Sequence, residues 1–161
     1  MSVALASSAF AGSPMAKNPI APVAPGCTAF GPGFDIGAFA GGFFPKHGGN
    51  NVLGGGVLAE YFFCENFGIQ GSYGAYATSS THHQFDGDLV FRAPIRSLCI
   101  APYILAGGGM QSNSSNLGSY HAGAGIEAHL GSFNIFADGA YHWVANDQNA
   151  TIVRLGVKFP L

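Results

Sequence analysis

The residues of this chain that could do chemistry are few, and histidine is prominent among them: six His stand beside eight Asp and Glu and six Lys and Arg. His47, His82 and His83 could ligate a metal from neighbouring loops, but they lack a ligand-spacing signature, and solvated loop histidines are the simpler reading. His121, His129 and His142 fall on the polar side of alternating segments, where hydrogen bonding in an interior is expected and protonation could tune local charge near neutral pH. Geometry rather than residue type makes a site, so no enzymatic activity and no cofactor or metal is expected.

The elements that must position these groups show a period of two. In one run, Tyr120, Ala122, Ala124, Ile126, Ala128 and Leu130 alternate with His121, Gly123, Gly125, Glu127 and His129, which a helix cannot satisfy. After a Gly131-Ser132 turn, Phe133, Ile135, Ala137, Gly139, Tyr141 and Trp143 oppose Asn134, Asp138 and His142, with Phe136 as a breach. Similar patterns predict further strands at about Phe34–Phe44, Asn51–Phe63, Phe67–Thr78, Gln84–Ala93, Cys99–Met110 and Thr151–Phe159, eight in all. The Cys99–Met110 strand has no clear facing, because Ile100, Tyr103, Ile104 and Leu105 break the alternation. Connections after the second, fourth and sixth strands read as tight turns. Those after the first, third, fifth and seventh, including a polar stretch from Gln111 to Asn116, read as longer loops.

Hydrophobic residues make up 48% of the chain and charged residues 9%, against ~25% charged in soluble domains. Glycines and polar residues interrupt every apolar run well short of the ~20 residues of a spanning helix, which excludes a helical membrane protein. A net charge of −2 implies no nucleic-acid partner. Residues 1–11, ending in Ala9-Phe10-Ala11, read as the remainder of a shortened export signal, and residues 12–33, with five prolines, as an extended tail. Residues 34–161 form one domain.

The charges follow the strand faces. Asp35, Glu60, Asp86, Asp88, Arg92, Glu127, Asp138, Arg154 and Lys158 share one side of their strands, while Lys17, Lys46, Glu65, Arg96 and Asp147 fall in tail, turns or loops. The opposite side, including Ala124, Ile126, Ile135, Tyr141, Trp143, Leu155 and Val157, is apolar and suits lipid. Enclosed acids and bases must pair, so Arg92, Arg154 and Lys158 are expected to meet some of Glu60, Asp88, Glu127 and Asp138 in a network that also holds Asp35. Tyr61, Phe63, Phe67, Phe133 and Phe159 at the turn ends, and Tyr73, Phe85, Tyr120, Tyr141 and Trp143 at the loop ends, would form two aromatic girdles. Cys64 and Cys99 begin strands two spacings of ~4.8 Å apart, beyond the ~7 Å Cα limit for a disulfide, which leaves Cys27 to pair with Cys64 or Cys99.

Phe34 to Leu161 resembles the small outer-membrane β-barrels of the outer membrane protein A/X type. The resemblance is carried by Ala101-Pro102-Tyr103-Ile104-Leu105-Ala106-Gly107-Gly108-Gly109, by Gly123-Ala124-Gly125-Ile126-Glu127, and by Val153-Arg154-Leu155-Gly156-Val157-Lys158-Phe159. It implies an all-β fold, a closed eight-stranded antiparallel up-and-down transmembrane β-barrel in the bacterial outer membrane. The implied partners are outer-membrane lipid, the barrel-assembly machinery reading an aromatic such as Phe159, and other membrane proteins. The His-x-Ser of lipid A deacylase barrels does not occur here, whereas His83, Asp86 and Asp88 faintly resemble the acid and histidine set of omptin-like protease barrels. The expected role is a non-catalytic barrel with a salt-bridged, plugged lumen, structural or surface-exposed. A narrow porin-like barrel passing small solutes or ions, and a soluble lipocalin-like carrier with its apolar face inward, are the alternatives.

Overall fold

The computed structural model describes residues 27–46, 50–77, 81–112, 116–145 and 148–161. The export signal and most of the Pro-rich segment lie outside these residues, as do Lys17, His47 and Asp147. Eight strands follow in chain order: β1 (Gly33–Pro45), β2 (Val52–Phe62), β3 (Phe67–Tyr76), β4 (His82–Arg92), β5 (Ile100–Ser112), β6 (Asn116–Leu130), β7 (Phe133–Val144) and β8 (Ala150–Pro160). Each pairs antiparallel with its sequence neighbour, and β1 pairs with β8 to close the barrel, so no sheet edge is left open.

The register sets the barrel's shape. Partner by partner, Gly33 leads to Phe62, Gly68, Val90, Leu105, Gly123, Ala140 and Ile152, and then to Phe43, ten residues up β1. A stagger of this kind tilts the strands by about 35–45°, and with eight strands the interior is just wide enough for side chains to fill it. The residues on this line all point inward, and Phe62, Val90, Leu105 and Ala140 join Tyr103 in an apolar cluster.

Two expectations need correction. β5 alternates cleanly after all: Ala101, Tyr103 and Leu105 are buried while Pro102 and Ile104 are exposed, so its faces look alike in sequence only because both are largely apolar. Phe136 is not a breach of the inward face but part of it, 1% exposed and packed with Phe39 and Leu58. The connections also differ in length from the expected scheme. β5 and β6 pair as far as Ser112 and Asn116, so Gln111, Ser112 and Asn116 of the anticipated Gln111–Asn116 loop are strand, with Gln111 buried inside. The β4–β5 connection, residues 93–99, is longer than a tight turn and carries a bridge between Ile95 and Ile100. The β6–β7 turn is tight because Gly131 takes a φ of +75°, which side chains other than glycine rarely adopt.

Candidate functional site

Alternation sorts the side chains into two environments. Outside, Leu155 is 65% exposed, Ile126 45%, Ile135 38% and Trp143 38%. Ala124 is exposed as well, and Tyr141 and Val157 are half-buried on the same wall. Rings contact one another near each rim of that wall. Tyr61 meets Phe63, Phe63 meets Phe67 and Phe133 meets Phe159 at the turn end, while Tyr73 packs on Phe85 and Trp143 packs on both Tyr120 and Tyr141 at the loop end. The side-chain charges of the strands all lie within the barrel, and those of Lys46, Glu65 and Arg96 lie off the strands. Arg96 pairs with Glu65 at the turn end, and that partner holds its guanidinium above the usual arginine range.

Within the lumen, the half nearer the turns is a linked ion network. Arg92 Nη1 donates to Glu127 Oε1 at 2.9 Å. Lys158 Nζ donates to Glu127 Oε2 at 2.8 Å and to both Glu60 oxygens at 2.8 and 3.0 Å. Arg154 grips Asp138 with two bonds of 2.8 Å, and Tyr103 donates to the same carboxylate at 2.8 Å. Gln70 links the two groups, donating to Glu60 and accepting from Arg154. Charges this deeply enclosed are tolerable only when paired and hydrogen-bonded, and here each cation has an acid in contact. Asp35, also buried, sits opposite Glu60 in the register and makes no ion pair among the described residues.

Residues 27–32, just before β1, dock against the turn end of the barrel. Phe30 is 4% exposed, the Arg92 guanidinium lies between the rings of Phe30 and Phe62, and Arg92 Nη2 donates to the carbonyl of Gly31 at 3.0 Å. The Cys27 amide donates to the Arg96 carbonyl at 3.1 Å. The Cys99 thiol is pushed up from its ordinary pKa chiefly by a hydrogen bond with the Cys27 thiol, so these two sulfurs are neighbours, whereas Cys64 is exposed.

The half of the lumen nearer the loops has a different chemistry. Asp88, expected to meet a cation of the network, instead accepts from His121 Nε2. Asp88, Gly107, His121 and His142 are successive partners along the register, and the missing side chain of Gly107 lets the Asp88 carboxylate reach across β5 to His121. A Cβ on Gly107 would sit 2.4 Å from Asp88 Oδ1, and one on Gly109 would sit 2.2 Å from Asp86 Oδ1. The His121 and His142 rings stack with centroids 4.3 Å apart. Gln84 Nε2 lies 2.7 Å from Asp86 Oδ2 and 3.2 Å from His142 Nδ1.

The hydrolase-like grouping dissolves in this geometry. His83 faces outward and bonds the Tyr73 hydroxyl at 2.8 Å, across the wall from Asp86 and Asp88. His82 points inward against Phe43 and Tyr76, so adjacent His82 and His83 cannot share a ligand. His129 bonds Asn134 at the turn end. The group that reading by residue type missed is Asp86, Asp88, His121 and His142. The one signal for it was the glycine run Gly107-Gly108-Gly109, which leaves room for carboxylates on the strand beside it.

No protein-family model matches the sequence, and no curated protein matches it. Among solved structures, the chain is similar to Neisserial surface protein A (TM-score 0.66, 15% identity, covering 80% of this chain and 97% of that one). It is also similar to the N-terminal β-barrel domain of Pseudomonas aeruginosa OprF (0.62, 18%, 81% and 99%). A third likeness is to Ail, the attachment invasion locus protein of Yersinia pestis (0.62, 18%, 81% and 99%). An all-antiparallel eight-stranded closed barrel that spans nearly the whole of each of these chains is the fold of the small outer-membrane β-barrels.

Proposed function

We propose that the chain is a non-catalytic integral outer-membrane barrel with a plugged lumen, serving a structural or surface-exposed role. The observation that carries this reading is the inversion of its two faces: apolar side chains and two aromatic belts outside, paired charges inside. An apolar wall of this extent needs lipid, since water would leave it aggregation-prone. It is also the reverse of a soluble carrier, whose apolar face would line the cavity. The plug is supported by the ion network and by Phe30 and Gly31 docked under Arg92. Heat-modifiable gel migration of the detergent-folded protein tests the closed barrel, and planar-bilayer recording tests the plug. A boiling-dependent shift without steady channels is expected; steady conductance would overturn the plug and favour passage of small solutes or ions.

The N-terminal segment adds a closure at the turn end. Cys27 and Cys99 would lose two protons and two electrons to a disulfide-bonded oxidant, forming one S–S bond and leaving the oxidant as a dithiol. Under oxidising conditions a Cys64→Ser protein should still gain a reductant-sensitive band of altered mobility. Cys27→Ser and Cys99→Ser proteins should not, and an intramolecular crosslink in either would reassign the pairing.

A further inference from the structure

The group Asp86, His121 and His142 places three ligand atoms within 4.8 Å of one another inside the lumen. The tautomer of His121 follows from its partner. An ionised Asp88 can only accept, so His121 Nε2 must carry the proton, which leaves Nδ1 with a bare lone pair in the neutral ring. That Nδ1 is buried, on a side chain 2% exposed, and has no hydrogen-bond partner among the described residues. It faces Asp86 Oδ1, a second buried acceptor without a partner, at 3.8 Å. Two acceptors turned toward each other repel unless a cation lies between them. A shared proton would draw them to ~2.7–2.9 Å. Two ligands of one tetrahedral zinc ion, each at about 2.0–2.1 Å, stand ~3.4 Å apart.

We propose that the loop-side half of the lumen is a binding site for a divalent transition-metal ion of the zinc type, held by His121 Nδ1, Asp86 Oδ1 and the His142 imidazole. The surrounding groups have the roles such a site requires. Asp88 on the far nitrogen of His121 is the carboxylate–histidine pair that orients a metal-binding imidazole and strengthens it as a ligand. Gln84 donates to the other oxygen of Asp86 and, at 3.2 Å, to His142 Nδ1, whose lone pair the metal would take over from that long bond. Gly107 and Gly109 supply the space that the two carboxylates occupy. The void of about 10 Å³ beside these residues suits one water as a fourth ligand.

Charge agrees with the geometry. Asp86 and Asp88 make no ion pair with Lys or Arg among the described residues. Arg154, the cation that lines the same void, is held by Asp138 through two bonds and also bonds Gln70 and Ser72. Two imidazoles with a carboxylate select zinc-like ions over calcium or magnesium, which prefer oxygen ligands. The site rests on the inward facing of these side chains and is independent of whether the barrel conducts.

The test uses the tag-free, full-length protein folded in detergent, stripped with chelator and titrated with Zn²⁺ by calorimetry. One equivalent per barrel is expected, weakened more than about tenfold by His142→Gln and about 10–100-fold by Asp88→Asn, and unchanged by His82→Gln with His83→Gln. No saturable binding, or equal affinity in His142→Gln, would overturn the proposal, as would loss of binding in the His82 and His83 double variant. Folding of each variant is read from heat-modifiable migration. X-ray absorption of the Co²⁺-loaded wild-type protein counts imidazole ligands without any substitution: two support the site, and fewer refute it.

Discussion

The two halves of the lumen are walled by the same eight strands, yet they treat buried charge in opposite ways. Toward the turns, Arg92, Lys158 and Arg154 are each in contact with an acid, and Gln70 ties the two ion groups together. Toward the loops, Asp86 and Asp88 meet imidazole and amide groups instead, and His121 Nδ1, Asp86 Oδ1 and Asp88 Oδ2 are left without hydrogen-bond partners among the described residues. A buried acceptor with no donor destabilises a fold by about 1–3 kcal/mol. The contrast teaches that one half is arranged to hold the barrel together, whereas the other tolerates unmet acceptors that a bound cation would satisfy.

The contrast can be broken most directly at Lys158. Lys158→Met leaves Glu60 and Glu127 without their shared cation and should cost about 3–5 kcal/mol, read from urea unfolding in micelles. Next in size is the outer wall: Ile135→Arg should lose about 2–4 kcal/mol in a bilayer, while the inward Ala140→Ser stays within about 1 kcal/mol. Equal losses at these two positions would reverse the assigned faces. Gly109→Ala pushes a methyl group into Asp86 and the Phe85 carbonyl and should cost about 1–3 kcal/mol, with a parallel fall in zinc affinity. The smallest effect is expected for His142→Gln without metal, under about 1 kcal/mol, because this side chain accepts a single long hydrogen bond from Gln84. With zinc at a hundred times its dissociation constant, the wild-type protein should gain about 2.7 kcal/mol that this variant does not. If Lys158→Met and metal-free His142→Gln proved equally costly, the two halves would not differ as described.

Much of this architecture is legible in sequence where one face of a strand is polar and the other is not. β4 and β8 show it best, since Asp86, Asp88 and Arg92, and then Arg154 and Lys158, fall on one parity and turn inward together. Legibility fails where the lumen itself is apolar. Tyr103, Leu105 and Phe136 point inward with Phe39, Leu58 and Val90, so β5 looks patternless and Phe136 looks misplaced. It fails again at Cys27 to Gly31, where proline-rich composition suggests a loose tail but Phe30 finds a buried place beside Arg92. Nor does residue type show that His83 and Asp86, close in sequence, lie on opposite sides of the wall.

What the sequence by itself determined is the facing of the strands that carry charge, because the period of two is a local property of an extended chain and nine inward charges admit no other facing. What only the tertiary structure decided is which groups meet one another. Contacts across the lumen, such as Arg154 with Gln70, depend on the ten-residue stagger around the closed barrel, a non-local quantity, while the registers of β4 to β7 bring Asp88 past Gly107 to His121 and His121 onto His142. Period two places both histidines inside; the registers make them neighbours of two carboxylates rather than of Arg92 or Lys158.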